Sequence, residues 1–403
     1  MDAIASPSFL ARVEMAPRDP ILGITETYLA DQNPRKVNLG VGVYYDDKGK
    51  VPLLECVRRA EAQLMEKAGP RSYLPIDGIP TYNSAVQALL FGDEAVAAAS
   101  IITIQALGGT GSLKLGADFL KRVVADATVW ISDPSWENHR ALFESAGFPV
   151  KTYPYYDSAT QGLKFAEMKA ALSGLAEGSI VLLHACCHNP TGVDLSAAQW
   201  ADVVEIVASR NLIPFLDIAY QGFGESINAD GAIVRRFADT GGPLFVASSF
   251  SKSFSLYGER VGALSIRTAS SNEAQRVLSQ IKRVVRTNYS NPPTHGGHVV
   301  AAVLTSPELR GLWERELAAM RDRIRAMRQQ LVDRLKTRAP NRNFDFVLTQ
   351  RGIFSYSGLT KDEVARLRNE YSIYPVDSGR ICVAALNSQN VDYVAEGIAT
   401  VIG

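Results

Sequence analysis

An α/β protein built on an open, mostly parallel sheet is the fold class that this sequence predicts. Short apolar runs recur through the middle of the chain, each followed by a polar or glycine-rich loop and then by a helical pattern. The runs are continuously apolar rather than alternating, which marks strands covered on both faces. Strand–helix alternation of this kind lays parallel strands side by side with helices over the faces.

The first run, Ile101–Leu107 (IITIQAL), leads into Gly108-Gly109-Thr110-Gly111 and the helical stretch SLKLGADFLKRVV. Residues 127–132 (ATVWIS), closed by Asp133-Pro134, give a second strand, and residues 179–184 (SIVLLH) a third. Ile213–Ile218 (IPFLDI) and residues 244–248 (LFVAS) give two more. Ser196 with Gln199 forms a capping box that opens the helix AAQWADVVEIVASRN. Open sheets of this class bind ligands beyond the carboxyl ends of their strands, where the polar motifs of this chain fall.

The texture changes near residue 306. Ser306 caps and Pro307 opens a long helix whose stripe runs Trp313, Leu317, Met320, Ile324, Met327, Leu331 and Leu335. FDFVLT and IFSYSG read as strands, Thr360 and Glu363 as a capping box, and a last helix ends the chain. This is a smaller α/β unit. The irregular, Pro-containing residues 1–45 are expected to pack on it or on a partner chain.

Composition narrows the function. The chain has 403 residues, 46% hydrophobic and 21% charged, with 42 basic and 42 acidic side chains. Disorder is excluded, and so is a life on a polyanion such as nucleic acid, because there is no net positive field. The arginines of the long helix are interspersed with acids and read as a solvated face. No run reaches the ~18 apolar residues of a membrane span. The first residues lack the basic-then-apolar pattern of a secretory signal and the arginine richness of a transit peptide. Four cysteines do not make a disulfide framework, so a reduced, cytoplasmic protein is expected.

Several residues carry chemistry. Gly108-Gly109-Thr110-Gly111 lets backbone N–H groups at a helix start approach an anion, or is simply a tight turn; it matches neither a Walker A loop nor a dinucleotide fingerprint. Ser248, Ser249 and Ser251 precede Lys252, with Arg260 eight residues on: hydroxyls and one guanidinium suit a phosphate monoester. A lone lysine is ordinarily solvated, but after a buried strand Lys252 can become a neutral, nucleophilic amine. Asp217 ends a buried strand, with Tyr220 three residues further. Such a carboxylate needs a cationic partner, either a structural ion pair or a protonated pyridine nitrogen. His184, Cys186, Cys187 and His188 look like metal ligands, yet neighbouring side chains on a strand end point to opposite faces. No metal is expected, and the weight falls on Asn189 in the Pro-Thr-Gly turn. Arg286 and Arg380 suit bidentate carboxylate binding, or are surface charges.

Together these residues resemble the fold-type I aminotransferases that use pyridoxal 5′-phosphate, in the aspartate and aromatic amino acid subgroup. The carrying motifs are YLPIDGIP, GGTGSLKLGADFL, SDPSWENH, HNPTG, DIAYQGFG, SFSKSFSLYGERVGAL and RTNYSNPP, in that order. The resemblance implies a large cofactor domain (46–310) with a mostly parallel seven-stranded sheet flanked by helices. It also implies a smaller α/β domain made from both chain ends (1–45 and 311–403). Lys252 then matches the lysine that forms a Schiff base with the cofactor and later moves the proton. Asp217 matches the partner of the pyridine nitrogen, supported by His139. Tyr220 and Asn189 match the partners of its phenolic oxygen, and Trp136 the ring stacked on it. Gly109, Thr110, Ser249, Ser251 and Arg260 match the phosphate cup, completed by Tyr73 of a neighbouring subunit. Arg380 matches the binder of the substrate α-carboxylate, Gly42 a backbone contact, and Arg286, again from the neighbour, the binder of a side-chain carboxylate. Trp136 and Asn189 also touch substrate. The resemblance thus implies a homodimer with shared sites and ping-pong kinetics on amino acids and 2-oxo acids.

Within the subgroup, FSLYGERVG, RNFDFVLTQRGIFSYSGL, Tyr45 and Val51 resemble the aromatic branch. Val43, Thr110 and Asn291 resemble the aspartate branch, and Ser72 neither. The expectation is transfer from tyrosine, phenylalanine, tryptophan and aspartate to 2-oxoglutarate, the alternative being an enzyme restricted to dicarboxylates. A lyase or decarboxylase on the same cofactor has less use for two carboxylate-binding arginines. A nucleotide enzyme would want the Walker lysine, and a non-catalytic binder would not need Lys252, Asp217 and both arginines together.

Overall fold

The computed structural model describes residues 8–16, 21–67, 69–70, 72–94 and 99–403. Its centre is a seven-stranded sheet of β1 (Ile101–Leu107), β2 (Val129–Asp133), β3 (Val150–Pro154), β4 (Ile180–His184), β5 (Ile213–Ile218), β6 (Leu244–Ser249) and β7 (Val261–Arg267). The spatial order is β1-β7-β6-β5-β4-β2-β3. All pairs are parallel except those of β7, which runs antiparallel to both β1 and β6. Every residue of β4 and β6 is buried, as continuous apolar runs require.

All five strands read from the sequence for this sheet are present. The two others lack the pattern that reveals a strand. In β3 only Tyr153 is buried among VKTYP, as on a sheet edge. In β7 the run VGALSIR is diluted by small residues, and one of them is needed: a Cβ at Gly262 would lie 2.4 Å from the backbone of Gly108. One reading is corrected. FDFVLT is not a strand; it holds the short helix Phe346–Thr349. Phe344 and Val347 are buried, a spacing of three that turns the segment helical.

Helix signals fared better. Ser196–Gln199 and Thr360–Glu363 are both complete capping boxes, and Ser306 accepts from the Leu309 N–H at 3.3 Å. The seven predicted stripe residues of the helix Pro307–Arg338 are all buried. Arg328 is buried with them and donates to the carbonyls of Gly352 (2.8 Å) and Phe354 (2.7 Å). The helix rests on the large sheet's side of the molecule through Trp313, whose Nε1 donates to Ser253 O at 2.7 Å. It continues unbroken past residue 310.

The chain ends meet. Val37–Asn38 pairs in parallel with Ile373–Tyr374, and Phe354–Tyr356 pairs antiparallel with Arg380–Cys382. Residues 1–7 and 17–20 lie outside the described residues, so the expectation for 1–45 bears only on the rest. The four cysteines are free and buried. Among the described residues no helix is long and apolar enough to cross a membrane.

Candidate active site

A cavity of about 480 Å³ opens beyond the carboxyl ends of the parallel strands. Because β7 is reversed, it delivers its beginning to this edge rather than its end, and Arg260 immediately precedes it. The cavity is lined by Gly42, Gly109, Thr110, Trp136, Asn189, Asp217, Tyr220, Ser249, Ser251, Lys252, Arg260 and Arg380, all singled out from the sequence. His139 stands just behind. Tyr73 and Arg286 are not in it: Tyr73 is 92% exposed, and Arg286 lies exposed on the last turn of the helix Ser271–Asn288, bonded to Ser290.

One end is built for an anion. Helix Gly108–Val123 starts at the cavity with no side-chain cap, leaving first-turn N–H groups without intrahelical partners. Ser249 Oγ and Ser251 Oγ lie 3.2 Å apart, and Arg260 Nη1 donates to Ser251 Oγ at 3.3 Å and to Tyr257 O at 2.8 Å. Gly108 has φ +68°, and a Cβ there would come within 2.5 Å of Arg260 Nη2. Glycine thus satisfies both the left-handed backbone and the close approach of the guanidinium.

The middle holds Lys252 and Asp217. Burial brings the Lys252 amine down to about 8; the Asp217 charge opposes this and Arg260 assists it. Its Nζ lies 5.2 Å from the Tyr220 ring centre. Asp217 Oδ2 is bonded to His139 Nε2 at 2.9 Å, and His139 Nδ1 to Ser135 Oγ at 2.9 Å. Burial alone would raise the Asp217 carboxyl, but His139, His184 and Lys252 outweigh it and hold the group below its usual range. Its Oδ1 is buried with no hydrogen-bond partner. Trp136 packs edge-on against the His139 ring, centres 5.2 Å apart. Burial raises the Tyr220 phenol and lowers the His184 imidazole to about 3, leaving that ring neutral. Both ring nitrogens of His188 are engaged, by Ser132 Oγ (2.9 Å) and Thr191 Oγ1 (2.8 Å), so this histidine offers no free ligand atom.

The far end is cationic. Arg380 is 1% exposed and donates to Asn189 Oδ1 (3.0 Å) and Gly40 O (2.7 Å), and among the described residues no carboxylate pairs with it. Its Nε is buried without a partner, and its guanidinium carbon lies 4.2 Å from the Phe354 ring centre. A buried, uncompensated guanidinium is costly unless a ligand carboxylate completes it. Phe354 and Tyr257 also line the cavity, and the sequence reading gave them no role. Each lies inside a quoted motif, but nothing in the local pattern tells an aromatic at the site from one in the core. Tyr45 and Val51 do not line it. Tyr45 faces a second cavity of about 570 Å³ with Tyr28 and Tyr393, and Val51 is 44% exposed.

Comparison with known proteins agrees with this geometry. The family model "Aminotransferase class I and II" matches residues 34–398. An aspartate aminotransferase of Pseudomonas aeruginosa is 60% identical over 397 residues, covering 98% of this chain and 100% of the relative. An aromatic-amino-acid aminotransferase of Escherichia coli is 51% identical, covering 97% and 99%. Among solved structures, the aromatic-amino-acid aminotransferase from Burkholderia pseudomallei, covalently bound to pyridoxal phosphate, superposes with a TM-score of 0.96. It shares 64% identity and covers 98% of this chain and 100% of that one. A strand order with one reversed member, an uncapped helix start near a half-buried lysine, and relatives of this similarity over nearly the whole chain lead to one statement: the chain belongs to the class I and II aminotransferases.

Proposed function

We propose that this enzyme holds pyridoxal 5′-phosphate in the 480 Å³ cavity and moves amino groups from aromatic amino acids and aspartate to 2-oxoglutarate. The observation that carries the cofactor reading is Asp217 Oδ1, a buried carboxylate oxygen left without a donor. A protonated pyridine nitrogen is the donor it lacks. When bound, the cofactor supplies an aldehyde carbon for attachment and a ring that withdraws electrons from the substrate Cα.

The chain's own residues do the rest. Lys252 Nζ is the attaching amine; once substrate has replaced it, the same nitrogen would take the Cα proton and deliver it to the cofactor carbon at which the amine had been attached. Asp217 keeps the ring nitrogen protonated, and His139 holds Asp217 in place. Asn189 and Tyr220 donate to the phenolic oxygen, and Trp136 covers the ring. Gly109, Thr110, Ser249, Ser251 and Arg260 hold the phosphate. Arg380 grips the α-carboxylate, near the Gly42 backbone.

Tyr73 and Arg286 serve the site of a second subunit in a homodimer; their exposure in the single chain supports this reading. The working units are a cofactor domain (46–310) and a smaller one (1–45 with 311–403), in a cytoplasmic protein. Pairing of Val37 with Ile373 supports joining the two ends.

The second reading, restriction to dicarboxylates, is favoured by the 60% identity to the Pseudomonas aeruginosa aspartate enzyme. Comparing kcat/KM for phenylalanine, tyrosine and aspartate with 2-oxoglutarate as acceptor decides it. Turnover of all three is expected; turnover of aspartate with essentially none of phenylalanine sinks the aromatic reading.

A further inference from the structure

Beside the cavity's 185–192 loop, and outside every motif role given above, lies a half-buried carboxylate that no cation pairs among the described residues. Asp194 Oδ2 accepts the Cys187 N–H at 2.7 Å and its Oδ1 accepts the His188 N–H at 2.8 Å. Arg351 is a cation whose charge bears on it, but its guanidinium is committed to Glu225 at 2.7 Å. Among the described residues Asp194 makes no ion pair. Two successive N–H groups converging on one carboxylate make an anion nest, here filled by the chain itself.

The nest has a second cost. Cys187 sits at φ +54°, a left-handed conformation that a side chain with a Cβ resists. Gly352 packs so closely from the other side that a Cβ there would lie 2.4 Å from the Cys187 Cβ. The reward for this backbone is the direction of the next residue but one: Asn189, which turns into the cavity and accepts from Arg380 Nη1 at 3.0 Å.

We propose that Asp194 is a positioning residue, which fixes the 187–188 turn so that the Asn189 amide is aimed at the cofactor and at Arg380. For the cofactor half of this statement the inference rests on the reading given above; the Arg380 half does not. Burial raises the Asp194 carboxyl to about 6, against the pull of its two N–H donors, with Asp230 adding to the rise and Arg351 opposing it.

The test uses Asp194→Asn, in which an amide N–H₂ faces a backbone N–H and one of the two bonds is lost, and Asp194→Ala, in which both are lost. Three readouts apply. Amide hydrogen exchange at residues 187–188 of the cofactor-free protein should quicken about tenfold or more. KM should rise about tenfold for the amino acid and the 2-oxo acid alike, since the bond at stake is charge-assisted and binds no side chain. In the enzyme loaded with pyridoxal phosphate, the pH midpoint of the visible band should move up, because an ionised oxygen loses a donor. The Asp194→Asn protein should melt no lower than wild type, since a partly desolvated charge goes with the bond. Faster exchange with raised KM supports the proposal. Unchanged exchange, or wild-type KM beside a lowered Tm, overturns it. If Asp194→Ala fails to fold, Asp194→Asn decides alone. A wild-type protein with no visible band would instead defeat the cofactor reading, and exchange and KM would still judge Asp194.

Discussion

The acidity of Lys252 can be measured without any cofactor. Its amine lies at about 8 in the folded chain, against 10.5 for an unhindered lysine. At pH 7 that leaves about 10% of it neutral, compared with about 0.03% otherwise, a gain of about 300-fold in nucleophile. Trace acetylation of the apoprotein, followed by mass spectrometry of the Lys252 peptide across pH, reads this directly. The labelling midpoint should fall near 8. The perturbation is Asp217→Asn: the Asp217 charge holds the lysine up, so its removal should move the midpoint further down. Stability follows with a defined sign. The native amine takes up its proton later than the unfolded one, so the cost is full below pH 8 and vanishes above 10.5. It amounts to at most about 3 kcal/mol, and the apoprotein should gain stability from this group between those values. A labelling midpoint near 10.5, or an upward move in Asp217→Asn, would refute the reasoning.

Two more outcomes are expected. Gly108→Ala should weaken binding of pyridoxal phosphate at least tenfold, because its Cβ displaces Arg260, and should lower the apoprotein's stability by about 1–2 kcal/mol through backbone strain. Gly178→Ala, also at positive φ but with nothing within 4 Å, should show the strain in thermal unfolding and leave the cofactor's Kd unmoved. For the shared sites, mixing inactive Lys252→Ala with inactive Arg286→Ala protein under conditions of subunit exchange should restore aspartate transamination. Random pairing gives about a quarter of wild-type activity, because half the dimers carry one intact site; no recovery in a mixture shown to form hybrids refutes the sharing.

How far the sequence could be read follows from where information is local. The five central strands, both capping boxes and the stripe of the long helix are written in consecutive residues, and the sequence reading recovers them. The reversed strand β7 is not, since VGALSIR owes its place to Gly262 fitting against Gly108, more than 150 residues away. The cavity residues were legible because strand ends and glycine turns announce them. Phe354 and Asp194 were not: one acts as an apolar wall beside Arg380, and the other satisfies backbone N–H groups that no pattern advertises. Tyr45, whose identity resembles the aromatic branch, lines a different cavity of the single chain, a placement no local pattern gives.

The place of β7 bears on when the enzyme can come into being. β1 is an edge strand whose neighbour in the sheet is β7, with Gln105 opposite Ala263. On the ribosome, the glycine turn after β1 therefore has no sheet to lean on until some 160 further residues have emerged. Arg380 arrives later still, on the strand whose register sets it opposite Tyr356. A nascent chain stalled after Lys252 would carry an ordinary lysine, without the burial that lowers its amine and without either guanidinium that gives the cavity its ends. The amine therefore becomes a nucleophile only as the pocket that directs it is assembled.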